Sequence, residues 1–398
     1  MNDEIWITGL GVACSIGMNV EESLDALVSG RRGIGPIEIL ETIHKDSFKL
    51  GEIKLTNLQM LEMLELPSNR YASYTRTSLI GIIAAREALR SSGIDLSDGF
   101  VTAIVSATTV GGMDKTEKEI SSAEANSDFV STHPCGDSTD KIADFLGLEG
   151  YRTTLSTACS SAANAIIHAA RLIKHGHADR AIVGGVDALS KFTLNGFNSL
   201  MILDRDECRP FDANRKGLNL GEGAGFLVLE SGRILSPNDK RKICRLSGYA
   251  NANDAHHQTA SSPDGQGAYD AMMGALKMSA LNPGDISYIN AHGTGTENND
   301  ASEGAALLRV FGDKLPPFSS TKAYTGHTLG AAASIEAVFS ILAIQHGLLF
   351  PGLGFEQPME SLSISPVKEL GEGVSIKNVL SNSFGFGGNN STLIFSKS

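Results

Sequence analysis

One stretch of this chain spells out a helix with no side to show to water. In TLSTACSSAANAIIHAARLIK, Thr154 to Lys174, the residues Ala162, Ala163, Ala165, Ala169 and Ala170 fall on several faces, with Ile166, Ile167, Leu172 and Ile173 between them. A surface helix carries one polar face. This one is apolar until Arg171 and Lys174, so both its sides must be covered. A second stretch, STKAYTGHTLGAAASIEAVFSILAI, also runs from a strand end through a polar turn into an alanine-rich helix, near Thr328 to Gln345. The first helix is therefore read as central, and the likeness of the two stretches implies two related halves face to face.

The rest of the pattern supplies the other layers. Unbroken apolar runs at 102–107, 181–186 and 221–230 read as strands buried on both faces, and helices are expected at Val20 to Ser29, Tyr74 to Arg90 and Gly267 to Met278. That alternation is the α/β class. Further strands are expected at Glu4 to Leu10, broken by Gly11 and Gly17, at Ile243 to Ala250 and at Ile286 to Ala291. Val379 to Asn382 and Thr392 to Ser396 flank a loop, SFGFGGNNS. The expected boundary divides the chain into residues 1–240 and 241–398.

Composition narrows the function. Of 398 residues only 20% are charged and 43 are glycine, which fits a tightly layered enzyme or an oligomer. A formal charge of −12 argues against a general nucleic-acid binder. The five cysteines, at 14, 135, 159, 208 and 244, are scattered and odd in number, so neither a zinc site nor a disulfide framework is suggested and a reducing compartment is expected. The N-terminus lacks a basic region followed by an apolar one, and no uninterrupted apolar run approaches the roughly 18 residues of a membrane span. A cytoplasmic protein is the expectation.

Cys159 stands where the strand turns into the first of the two helices, among Ser156, Thr157, Ser160 and Ser161. Small hydroxyl residues let backbone amides crowd around the sulfur, and the positive end of a helix starting at Cys159 would favour the thiolate. A free cysteine can equally be a small buried hydrophobe. Two histidines weigh on the choice: His292 in NAHGTGTENND and His327 in TKAYTGHTLGAAASIEA each occupy a glycine-bearing turn at a strand end, where open α/β sheets gather ligands.

Together, STACSSAA, HGTGT and KAYTGHTLGAA resemble the signature of the β-ketoacyl-acyl-carrier-protein synthases of the elongating, Cys-His-His type, and the likeness extends to GEGAG at Gly221 to Gly225 and NSFGFGG at Asn382 to Gly388. The resemblance implies a thiolase-like fold, five layers α-β-α-β-α in two pseudosymmetric halves, working as a homodimer. It implies that Cys159 takes an acyl group from acyl carrier protein as a thioester. Malonyl carrier protein then loses carbon dioxide and attacks that thioester, giving a 3-ketoacyl product. No metal or separate cofactor is implied, because the substrates travel on the phosphopantetheine of the carrier. A noncatalytic partner akin to a chain-length factor is the alternative, and such proteins lack the nucleophile that is present here.

The same resemblance distributes roles. His292 and His327 would donate to the enolate, and the backbone N–H groups of Cys159 and Phe386 would receive the tetrahedral oxyanion. Phe386, between Gly385 and Gly387, would also gate the acyl pocket, though a plain tight turn explains those glycines as well. Lys322 and Glu336 are expected to form a buried charge network that orients His327, or else an ordinary structural ion pair. Thr294 and Thr296 match hydroxyls that hold the phosphopantetheine arm. Arg205 matches a carrier-contacting arginine approximately, with Arg70 and Arg76 weaker candidates. His168, His175, His177, His256 and His257 receive no role, and GEGAG, which lacks the lysine of a phosphate loop, is expected to serve close packing. The segment ENND, the residue Asn389 and shortened loops depart from the commonest fatty-acid pattern, which leaves a specialised polyene or polyketide role open.

Overall fold

The computed structural model describes residues 4–67, 69, 73–120 and 131–398. Strand β1 (Ile5–Cys14) is followed by a small ribbon of β2 (Ile34–Pro36) with β3 (Lys49–Gly51), then by β4 (Thr102–Ala107), β5 (Arg152–Leu155), β6 (Arg180–Asp187) and β7 (Gly223–Ser231). The C-terminal strands are β8 (Cys244–Asn253), β9 (Tyr288–Asn290), β10 (Phe318–Ser319), β11 (Asn378–Gly385) and β12 (Asn389–Lys397). Across the sheet the order is β10-β9-β11-β12-β8-β1-β7-β6-β4-β5. Read outward from the centre, the two sets of five are alike. β1 pairs antiparallel with β7 and β7 with β6, then β6, β4 and β5 run parallel; β8, β12, β11, β9 and β10 repeat those senses in the same order. The two sets join edge to edge through only two register pairs, Trp6 with Arg245 and Ile7 with Cys244. What the resemblance implies as two separate sheets is thus one continuous sheet by hydrogen bonding, pinched at that seam.

Eleven helices cover it among the described residues: α1 (Val20–Ser29), α2 (Asn57–Met63), α3 (Arg76–Ser92), α4 (Met113–Glu119), α5 (Cys135–Leu146), α6 (Ser161–Lys174), α7 (Lys191–Ser199), α8 (Gln266–Ser279), α9 (Glu297–Phe311), α10 (Lys322–Thr325) and α11 (Ala332–His346). Three large apolar cores separate the layers. One lies between α3 and the strands of the first set, one around α6 and α11 in the middle, and one beneath α8 and α9. This is the five-layer α-β-α-β-α arrangement. The residues of α11 from Ala332 to Ile344 are all buried, and each of Ile335, Val338, Phe339, Ile341 and Leu342 adds about 1.5–3 kcal/mol of hydrophobic stabilisation. Leu329–His346 is long and apolar enough to cross a membrane by length and composition, although Ser334, Glu336 and Ser340 interrupt its apolar run, and 89% of it is buried inside the protein.

Several boundaries differ from the sequence reading for a packing reason. β1 is not broken at Gly11: it continues to Cys14, because this glycine serves close approach rather than a turn, and a Cβ there would lie 2.0 Å from the Ala84 carbonyl oxygen of α3. The expected loop SFGFGGNNS is mostly strand, leaving only Phe386, Gly387 and Gly388 to turn β11 into β12. Helix α9 has no counterpart in the sequence reading.

Candidate active site

The turn from β5 into α6 presents the sulfur. Ala158 sits at φ 53°, a left-handed conformation that costs a residue with a Cβ about 1–2 kcal/mol. Local hydrogen bonds hold it: Thr157 N–H donates to Ser161 Oγ at 2.8 Å, and the Ser161 hydroxyl donates to the Ala158 carbonyl at 2.5 Å. Helix α6 begins only at Ser161, two residues past the cysteine. Cys159 is buried, and burial pushes its thiol up to about 12, outweighing the lowering influence of Lys322 and of the backbone N–H groups of Phe386 and Cys159 itself. The expectation of a resting thiolate favoured by a helix end is therefore corrected: desolvation keeps this sulfur protonated.

His327 is delivered by the longer turn between β10 and α11. Its N–H donates to the Asn219 carbonyl at 2.7 Å and its carbonyl accepts from Gly221 N–H at 2.9 Å. GEGAG accordingly serves close packing, since a Cβ on Gly221 would meet the Thr325 carbonyl oxygen at 2.2 Å. His327 Nε2 lies 3.0 Å from Cys159 Sγ, while Nδ1 is buried with no hydrogen-bond partner among the described residues. The His292 ring is edge-on to it, centroids 5.4 Å apart at 84°. Burial first, and then the Lys322 charge, hold both imidazoles well below the usual histidine range, so both are neutral at pH 7.

Lys322 and Glu336 do form a buried ion pair, but it faces a different histidine from the one expected. Lys322 Nζ is 3.1 Å from His292 Nδ1 and 2.7 Å from the His292 carbonyl, and it bonds Glu336 Oε1. An ammonium only donates, so it makes His292 Nδ1 an acceptor and leaves the ring proton on Nε2. Burial pushes Glu336 up to about 7 despite the lysine. Asn290 Oδ1, Glu336 Oε2 and Ser381 Oγ, on neighbouring positions, are buried without partners among the described residues, Asn290 being in register with Ser381 and donating to the Glu336 carbonyl. These are hard oxygen donors of the type that could hold a small cation.

Sequence reasoning missed the supports beneath HGTGT. From α9, Glu303 accepts the N–H groups of His292 at 2.9 Å and Gly293 at 2.8 Å, and Asp300 accepts those of Thr294 at 3.0 Å and Phe211 at 2.7 Å. Both carboxylates are buried, and burial raises both, Glu303 to about 7. Two acids at i and i+3 within ENNDASEGAALLRVF, which is otherwise a helical pattern, were the available signal.

A cavity of about 350 Å³ joins these groups, lined among others by Cys159, His292, His327, Thr294, Thr296 and Phe386. The Thr294 and Thr296 hydroxyls are 2.9 Å apart, and Phe386 stacks on Phe197 with centroids 6.0 Å apart. Lys216, overlooked in the sequence, also lines it, as does Glu297. Arg205 is exposed and outside that lining. Arg76 is no surface residue: it is buried, and its five N–H donors go to Glu222 at 2.6 Å and 2.8 Å, to the carbonyls of Ile53 and Leu55 and to Asn57 Oδ1 at 3.1 Å, so it has no donor left for a partner. Arg70 lies outside the described residues. The histidines given no role do not line the cavity; His168, for instance, bonds the Tyr151 hydroxyl at 3.2 Å.

Comparison with known proteins agrees with this geometry. The family models for the β-ketoacyl synthase N-terminal and C-terminal domains match residues 2–233 and 243–356. The chain is 31% identical over 412 residues to 3-oxoacyl-[acyl-carrier-protein] synthase 2 of Staphylococcus aureus (strain N315), covering 100% of this chain and 99% of that one. It is 32% identical over 406 residues to nodulation protein E of Rhizobium meliloti (strain 1021), covering 99% of each. Among solved structures, the ishigamide ketosynthase/chain length factor matches with TM-score 0.93 and 30% identity over all of both chains. The ketosynthase (ApeO) in complex with its chain length factor (ApeC) from Xenorhabdus doucetiae matches with TM-score 0.87 and 31% identity, over 99% of this chain and 98% of that one. With a thiolase-like architecture and a cysteine and two histidines meeting in one cavity, the chain belongs to the β-ketoacyl synthase family of acyl-transferring condensing enzymes.

Proposed function

We propose that this protein elongates an acyl group on Cys159 by decarboxylative condensation with malonyl-acyl carrier protein. The observation that carries this reading is the 3.0 Å approach of His327 Nε2 to Cys159 Sγ, with the His292 ring beside it in a shared cavity. In the first step the sulfur attacks the acyl thioester carbonyl while its proton passes to His327 Nε2. The oxyanion that forms is received by the N–H groups of Cys159 and Phe386, and its collapse expels the carrier thiolate, which takes the proton back from His327.

In the second step the malonyl carboxylate leaves as carbon dioxide and its electron pair moves onto the thioester oxygen. Two neutral imidazoles donate to that enolate, His292 through the Nε2–H that Lys322 enforces and His327 through Nε2, which is freed once the sulfur is acylated and takes up the ring proton from Nδ1 by tautomeric exchange. The enolate carbon then attacks the acyl carbonyl, the C–C bond forms, and collapse of the second tetrahedral species breaks the C–S bond and releases the Cys159 thiolate, which takes a proton from solvent. Thr294 and Thr296 hold the phosphopantetheine arm, Phe386 gates the pocket, Glu336 offsets the Lys322 charge, and Arg205 takes the acidic carrier. No step requires a cofactor bound to the protein.

The chain divides at 240/241 into two thiolase-like halves, a reading supported by the repeated strand order. A homodimer is supported by the half-buried edge strand β5. Cytoplasmic residence is supported by five free cysteines. The product serves fatty acid or specialised polyene or polyketide assembly, and the intact mass of the acyl group trapped on Cys159 distinguishes these. Incubating Cys159→Ala with acyl and malonyl carrier proteins tests the whole: 3-ketoacyl product is expected to vanish, and undiminished product overturns the reading.

A further inference from the structure

The turn that carries the Phe386 N–H lies flush on the cysteine turn. A Cβ on Gly385 would stand 3.0 Å from the Thr157 carbonyl oxygen and 3.2 Å from Cys159 N. On its outer side this turn is held by Gly387 N–H on the Gln258 carbonyl at 2.8 Å and by Asn253 Nδ2 on the Gly387 carbonyl at 2.9 Å. Asn390 Nδ2 bonds the Gly388 carbonyl at 2.8 Å, and the tie toward the cysteine turn is the Asn389 side chain. Three side chains converge on Asn389 Oδ1: Asn164 Nδ2 at 2.9 Å, Asn251 Nδ2 at 2.7 Å and the Ser160 hydroxyl at 2.8 Å, whose one proton is shared with the Thr157 carbonyl, also at 2.8 Å.

The network continues into the loop beneath the sulfur. Asn164 Nδ2 also reaches Thr157 Oγ1 at 2.9 Å, and Asn164 Oδ1 accepts from Asn251 Nδ2 at 3.1 Å and from the Ser391 hydroxyl at 3.2 Å. Ser160, adjacent to the nucleophile, is therefore tied across the chain to the first residue of β12, and Asn164 ties the first turns of α6 to β8 and β12. An asparagine suits this position because its carbonyl oxygen accepts without adding a charge beside the thiol.

We infer that Asn389 is a positioning residue, whose side-chain oxygen clamps the Phe386 turn to the Cys159 turn and so keeps the Phe386 N–H aimed at the sulfur and at the oxyanion that replaces it. The inference rests on the condensing reading only for the oxyanion; the hold on the resting sulfur is independent of it.

The test is the rate of Cys159 alkylation by iodoacetamide at a fixed pH of about 8, followed by mass spectrometry, in the wild type, Asn389→Ala and Asn164→Ala, with kcat and KM for condensation measured alongside. Loss of the clamp is expected to slow alkylation of Asn389→Ala by about tenfold, through a roughly tenfold smaller share of thiolate at that pH. Its kcat is expected to fall by about tenfold at unchanged KM, with Asn164→Ala shifted the same way by less. A folded Asn389→Ala with wild-type alkylation rate and kcat overturns the inference. If that variant does not fold, Asn251→Ala, altered at an exposed position, must slow alkylation measurably, and an unchanged rate there overturns it. Absence of ketoacyl product from the wild type would sink the condensing reading alone, because the alkylation rate still judges the clamp.

Discussion

The two crossovers into the middle layer follow one plan at two lengths. From β5 to α6 the chain needs only residues 156–160, and from β10 to α11 it uses residues 320–331. Each passes a non-glycine residue in the left-handed region just before its helix, Ala158 at φ 53° and Leu329 at φ 51°. The short crossover leaves its reactive group at the helix start, whereas the long one has room for α10, which carries Lys322, and then for His327, which reaches the other crossover's sulfur. Duplication of the scaffold supplies two equivalent helix entrances, and the extra residues of the second turn one of them into a partner for the first.

The sharpest way to break this comparison is to remove the groups that the long crossover and its neighbour contribute. His327→Ala and His292→Ala should each lower condensation by about 10²–10³-fold, the range for losing one preorganised donor. Malonyl decarboxylation monitored by released carbon dioxide should fall in parallel, and a variant that condenses at the wild-type rate removes that histidine from the site. Lys322→Ala should cost about tenfold, since the lysine sets which nitrogen of His292 holds the proton and does not itself reach the enolate.

Titration sharpens the same contrast. The imidazoles act when neutral, and burial holds both well below the ordinary value near 6.5. The acid limb of kcat for condensation should accordingly lie below pH 6.5; a limb centred at the value of a free histidine would contradict their desolvation. Backbone substitutions come last. Gly225→Ala places a Cβ 2.5 Å from the Ser334 carbonyl carbon of α11 and should destabilise by about 1–3 kcal/mol in denaturant unfolding. Ala158→Gly should change stability by less than about 1 kcal/mol, because relief of a left-handed strain is offset by greater freedom of the unfolded chain.

Much of this arrangement could be read from residue types alone, and the gaps have a common cause. The buried strands, the two apolar helices and the triad of Cys159, His292 and His327 announce themselves by local pattern. What escaped depends on who faces whom across the layers. Nothing near Lys322 in sequence says that its ammonium meets His292 rather than His327, five residues away. Arg76 looks like any surface arginine until Glu222, far along the chain, is brought against it. The resting state of the thiol was misjudged for the same reason: the helix end is local and visible, whereas the desolvation that overrides it is created by distant segments closing over the sulfur.

Helix α11 has a consequence for how the molecule is made. As the ribosome releases it, this segment is greasy enough to pass for a bilayer anchor, and water is a poor place for it to wait. Part of its berth, β7 and α6, is translated earlier, but β11 and β12, which also pack against it, follow it along the chain. The receptor is therefore only half built when the guest emerges, and a truncation that removes the last two strands would leave this helix open to chaperones, membranes and its own copies.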